Sequence, residues 1–118
     1  MSGAADRYLY AVQILKERYL CVRSVDLAHY LGITKASVSA FLRQMRDQGL
    51  IVAETDGNLL LTDAGRQRAR LLGERIEFFR QLLTDAGVQP DLALRDAISF
   101  SWKMSDASFE AFRALKTE

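Results

Sequence analysis

The sequence predicts a mainly α-helical chain: a winged helix-turn-helix with a two-stranded wing, followed by a C-terminal helical dimerisation region. Three observations predict it. In "SVDLAHYLGITKASVSAFLRQMRDQG", two segments of helical apolar spacing flank a turn that holds Gly32. In "LIVAETDGNLLLT", two short apolar runs flank Asp56-Gly57, a dipeptide suited to the positive φ angles of a hairpin. From there on, long helical periods run almost to the end of the chain. Residues 1–65 therefore read as a DNA-binding domain and 66–118 as a helical extension.

Taken in order, Asp6 to about Arg18 is a helix with Tyr8, Val12 and Leu15 on its apolar stripe. Ser24 is the expected N-cap of a short second helix that Gly32 ends. Thr34 caps a third helix, whose apolar stripe is Val38, Phe41, Leu42 and Met45, and Gly49 closes it. After the hairpin, Thr62 caps a long helix from Asp63 to about Ala86, with Gly87 as its stop. Two more helices are expected, about Leu92 to Met104 and Asp106 to Leu115, with Ser105 at their junction.

The long helix is apolar over more than one stripe. Leu72, Ile76, Phe79 and Leu83 form one, and Leu71, Phe78 and Leu82 another. A chain of 118 residues has one core to face, so part of this surface is expected to meet a second subunit.

Composition narrows the function. Apolar residues make up 49% of the chain, enough for a core, yet no run is long enough to span a bilayer and no secretory signal opens it. A lone cysteine, Cys21, excludes an internal disulfide framework and fits a reducing cytoplasm; it reads as a small hydrophobe, and His29 as a surface residue. No zinc motif, phosphate loop or nucleophile–base pair can be assembled, so an enzyme and a cofactor are not expected.

The net charge of +1 matters less than its distribution. From Lys35 to Arg46 there are three cations and no acid, and Arg66, Arg68 and Arg70 form a second basic run. Opposite its apolar stripe the third helix carries Lys35, Ala36, Ser37, Ser39, Ala40, Arg43 and Arg46. Short side chains at the entering end suit a major groove only about 12 Å wide. Ser37 and Thr34 can hydrogen-bond phosphate or base, the methyls of Ala36 and Ala40 can touch thymine, and Lys35 and Arg43 can reach phosphates, or guanine for Arg43. The wing, with Asp56 and Asn58 at its tip, is expected to contact the backbone weakly or not at all.

The stretches "RSVDLAHYLGITKASVSAFLRQMRDQGLI", "GNLLLTDAGRQRARLL" and "FFRQLLTDAGVQPDLALRDAISFSWKMSD" resemble the metal-dependent repressors that include the diphtheria toxin repressor and the manganese transport regulator. The resemblance implies a homodimer joined through its C-terminal helices that represses transcription from palindromic double-stranded operator DNA. It places Phe78, Leu82, Phe100, Met104, Phe109 and Phe112 at the dimer interface. The family's metal-ligand positions fall here on Arg7, Tyr10, Ile76, Ile98, Ser101 and Trp102, so no metal is expected. Divalent manganese or iron needs carboxylate, imidazole or water ligands, and Arg7 would repel the ion. The expected function is a DNA-binding regulator independent of manganese and iron. Its alternatives are a winged-helix protein-interaction module, or a regulator that senses a small apolar ligand at the former metal site.

Overall fold

A computed structural model describes residues 3–116. Among them the element order is α1 (Gly3–Arg18), α2 (Ser24–Leu31), α3 (Lys35–Asp47), β1 (Ile51–Ala53), β2 (Leu59–Leu61), α4 (Asp63–Asp85), α5 (Pro90–Ser101) and α6 (Asp106–Lys116). The strands pair antiparallel, with Ile51 opposite Leu61, Val52 opposite Leu60 and Ala53 opposite Leu59. This is the expected winged helix-turn-helix with helices following the wing.

Local chemistry sets most boundaries. Gly32 takes φ 68° and closes α2, and the Thr34 side chain accepts from the Ser37 backbone N–H to open α3. Thr62 caps α4 in the same way through Gly65, and Ser105 caps α6 through Ser108 at 3.1 Å.

Several boundaries differ from the expectation, among them the start of α1, at Gly3 rather than Asp6. Ser24 lies inside α2; the N-cap is Arg23, whose backbone N–H donates to Asp26 Oδ2 at 2.8 Å. The hairpin is wider than a two-residue turn, and only Gly57 has positive φ, so Asp56 does not share that role. Glu54 N–H donates to the Asn58 carbonyl at 2.9 Å, and Gly57 N–H to the Glu54 carbonyl at 2.8 Å, closing a longer loop. Helix α5 starts at Pro90, whose fixed φ suits a first turn, rather than at Leu92. It ends at Ser101 rather than Met104, because Arg75 Nη1 donates to the Ser101 and Met104 carbonyls at 3.0 and 2.8 Å.

Two groups of buried side chains result. One gathers Leu9, Val12, Val22, Leu27, Val38, Leu42, Met45, Ile51 and Leu59 between α1, the helix-turn-helix and the wing. The other gathers Leu72, Ile76, Phe79, Ala97 and Phe109 among α4, α5 and α6. Each fully buried aliphatic side chain contributes about 1.5–3 kcal/mol, so both groups stabilise the chain appreciably. Helix α4 runs through both. Its first turn lies against the turn between α3 and β1, where a Cβ added at Gly65 would sit 2.0 Å from the Leu50 carbonyl oxygen.

Candidate nucleic-acid interface

The roll of α3 is fixed from its inner side. Val38, Leu42 and Met45 are buried, and Phe41 stacks on Tyr8 of α1 with ring centroids 4.2 Å apart. With that stripe committed to the core, Lys35, Ala36, Ser37, Ser39, Ala40, Arg43 and Arg46 are all exposed. Among the described residues no carboxylate lies within ion-pair distance of Lys35, Arg43 or Arg46. A helix face with three unneutralised cations and short side chains between them is what a phosphate-lined groove can accept. Thr34 is partly spent: besides capping, its hydroxyl donates to Ser37 Oγ at 3.0 Å.

The second basic run behaves differently. Arg66 pairs with Asp63, Arg70 Nη1 lies 3.6 Å from Glu74, and Arg68 is held by Asp6. Each arginine of this run therefore has a carboxylate close by, firmly for Arg68 and at an exposed surface pair for Arg66 and Arg70, unlike the cations of α3. The i,i+3 and i,i+4 spacing to Asp63 and Glu74 was visible in the sequence, but Asp6 comes from a distant part of the chain.

At the wing, Asn58 is an internal tie. Its Oδ1 accepts from Val22 N–H at 2.9 Å and from Lys16 Nζ at 3.1 Å, and its amide donates to Glu54 at 2.7 Å. The wing carries no cation of its own, but Arg23 of the α2 cap reaches it, with Nε donating to the Asp56 carbonyl at 2.9 Å. Sequence reasoning placed Asn58 at the wing tip without its internal role and passed over Arg23 at the wing, because the partners of both are remote in the chain.

The positions that the resemblance assigns to metal ligands divide in two. Arg7, Tyr10, Ile98 and Trp102 line one cavity of about 230 Å³, together with Ala11, Tyr30 and Leu31. The Arg7 guanidinium lies over the Trp102 ring at 5.2 Å. Burial holds the Tyr10 phenol above its ordinary titration range, with Tyr30 and Glu17 adding to the effect. Ile76 belongs instead to the second core, and Ser101 is buried with its hydroxyl donating to the Ala97 carbonyl. A guanidinium, two hydrocarbon side chains and an indole do not fit a divalent cation. Among the described residues no three His, Cys, Asp or Glu side chains come together.

Ionic contacts cross the junction instead. Arg68 Nε and Nη2 donate to the two Asp6 carboxylate oxygens at 2.9 and 2.7 Å, and Nη2 lies 3.7 Å from Asp106. Arg75 Nη2 donates to the same Asp106 oxygen at 2.5 Å. The contact with Arg75 holds the Asp106 carboxyl below its ordinary range, assisted by the charges of Arg68 and Arg75 and opposed by partial burial. The chain of charges joins α1, α4 and α6.

Of the residues expected between subunits, Phe78, Leu82, Phe100 and Met104 are half-buried. Phe109 is only 5% exposed, packed inside the protomer beneath Arg75, whereas Phe112 is 42% exposed and continues to exposed Leu115. Cys21 is partly exposed and free, and His29 is exposed on α2. No helix among the described residues is long and apolar enough to cross a membrane.

Comparison with known proteins agrees with this geometry. Residues 7–69 match the family model of the Crp-like helix-turn-helix domain. The chain is 30% identical over 108 residues to the transcriptional regulator MntR of Escherichia coli O6:H1, covering 92% of this chain and 70% of the relative. Among solved structures, a manganese-dependent transcriptional repressor in complex with manganese superposes with TM-score 0.77 at 26% identity, over 91% of this chain and 51% of that one. The manganese regulator SloR superposes with TM-score 0.75 at 18% identity, over 96% of this chain and 53% of that one, a likeness of fold. The chain thus spans about half the length of these solved regulators.

Proposed function

Because this chain belongs to the MntR family of DNA-binding transcriptional regulators, we propose that it is a homodimeric repressor whose grip on operator DNA needs neither manganese nor iron. The observation that carries the DNA reading is the outer face of α3, where Lys35, Arg43 and Arg46 stand exposed with no carboxylate partner among the described residues. Lys35 and Arg46 neutralise phosphates, and Arg43 reaches a phosphate or a guanine edge. Ser37, with Thr34 and Ser39 beside it, supplies hydroxyls at the entering end. Ala36 and Ala40 leave room for the base edges and offer methyls to thymine.

Residues 1–65 serve as the DNA-binding half and 66–118 as the pairing half. Phe78, Leu82, Phe100, Met104 and Phe112 form the contact with a second copy, with Phe109 backing them from inside. A solved relative is described in complex with manganese. Here the corresponding positions hold Arg7, Tyr10, Ile76, Ile98, Ser101 and Trp102, and the Asp6–Arg68–Asp106 contacts supply the link between halves.

Selection of duplexes from a random pool, with chelator present throughout, tests the reading. The expected product is a palindrome whose half-site centres lie about 10–10.5 base pairs, or roughly 34–36 Å, apart, or a multiple of that. Enrichment of no sequence, or of an isolated half-site bound by one chain, would overturn it.

A further inference from the structure

We propose that the cavity between α1, α2 and the end of α5 binds a single-ring aromatic carboxylate. The inference rests on the reading above that no metal is held at this position. Arg7, Tyr10 and Ala11 come from α1, Tyr30 and Leu31 from α2, and Ile98 and Trp102 from the end of α5. Sites for drug-sized ligands measure about 300–1,000 Å³. This one, at about 230 Å³, is sized for one ring and a small head group.

Its chemistry is that of an amphipathic anion. Ala11, Leu31 and Ile98 supply hydrocarbon, and three aromatic side chains supply ring faces. Arg7 supplies the charge. Its guanidinium is half-buried against the Trp102 ring, and among the described residues no carboxylate pairs with it. A partly desolvated guanidinium with a free fork is best satisfied by a planar carboxylate, which can accept two parallel N–H bonds. One cation matches one negative charge; a phosphate dianion would leave charge uncompensated against the aromatic wall. The hydroxyls of Tyr10 and Tyr30, which also line the cavity, can donate to the same head group.

The position gives the ligand something to do. The cavity is walled by α1 and α2 of the helix-turn-helix half and by the end of α5 in the other half. A molecule that touches both halves stabilises whichever relative arrangement fits it, and shifts the fraction of chains able to bind DNA.

Trp102 is the sole tryptophan of the chain, so its fluorescence in the intact protein reports on this cavity directly. Benzoate is the probe, with benzyl alcohol as its uncharged counterpart. The expected result is a saturable change with benzoate that weakens by about tenfold or more with benzyl alcohol and in Arg7→Gln. Ile98→Phe, which fills the cavity, should remove the change; its melting by circular dichroism shows whether it is folded, and Arg7→Gln decides if it is not. A linear, non-saturating response to benzoate, or equal binding by Arg7→Gln, would overturn the proposal. Manganese titrated into the same sample separates the two readings. Displacement of benzoate by manganese would refute the metal-free site itself, whereas silence to both would refute only the carboxylate site.

Discussion

Arg68 holds Asp6 with a two-pronged contact, Nε and Nη2 each donating to a different carboxylate oxygen at 2.9 and 2.7 Å. Asp6 is 3% exposed, so this carboxylate has exchanged nearly all its water for one guanidinium. The pair joins the beginning of α1 to the first half of α4, and thereby the helix-turn-helix to the helices that follow.

Removal of one partner should cost far more than removal of both. Arg68→Met leaves a buried, unpaired carboxylate and should lower unfolding stability by about 3 kcal/mol. The Asp6→Leu/Arg68→Met double variant should recover most of that loss, because no uncompensated charge remains. Urea denaturation of the three proteins measures it, and a single variant as stable as the wild type would remove the pair from the account.

Asp106 predicts how the junction responds to acid. Its carboxyl is held below the ordinary value of 3.8, chiefly by the hydrogen bond from Arg75. A group whose folded value lies beneath its unfolded one adds stability in full above the unfolded value, and loses it as pH falls through the folded one. Stability should therefore decline below about pH 4 as Asp106 takes up a proton, and Asp106→Asn should flatten that part of the profile. Asp106 is well exposed, so the change should be modest; melting temperatures from pH 6 to pH 2 would show it.

Gly65 gives a prediction whose sign runs against helix propensity. Alanine in an open helix is favoured over glycine by about 1 kcal/mol. Here the added Cβ would stand 2.0 Å from the Leu50 carbonyl oxygen, a backbone atom that cannot rotate away. Gly65→Ala should destabilise by about 1–3 kcal/mol or more, and should shift the wing relative to α4. Gly73→Ala, which meets nothing within 4 Å, should stabilise slightly and is the control.

Which of these features the sequence disclosed follows from how far apart the partners lie. Thr34, Thr62 and Ser105 were legible as caps because each satisfies an N–H only three residues on. The two-sided apolar character of α4 was legible from its period. Asp6 with Arg68, Asn58 with Val22, and Gly65 with Leu50 were not. Those contacts exist only after the helices pack, and no local pattern marks an aspartate for one distant arginine rather than for water. The same limit hid the partner of Arg68 within the Arg66–Arg70 run, whereas Asp63 and Glu74 stand at local helical spacing from Arg66 and Arg70. On α3 the reverse holds: once Val38, Leu42 and Met45 are assigned to the core, the geometry of a helix dictates which residues remain outside.

The α3 cations make a prediction about salt. Arg43→Ala and Lys35→Ala should each weaken binding to the selected duplex and lower the slope of log affinity against log salt by about 1, one released counterion fewer. Arg68→Ala, whose charge is already neutralised by Asp6, should leave the slope unchanged where the protein remains folded. Fluorescence anisotropy across a salt series separates the two outcomes, and an unchanged slope for Arg43→Ala would take it off the phosphate contacts.

The most direct measurement is the affinity of the purified chain for its selected duplex in manganese and in chelator, side by side. If Asp6, Arg68 and Asp106 hold the two halves together without an ion, the two affinities should agree within about twofold. A gain on adding manganese of about 5- to 150-fold, the size of an ordinary allosteric coupling, would contradict the account.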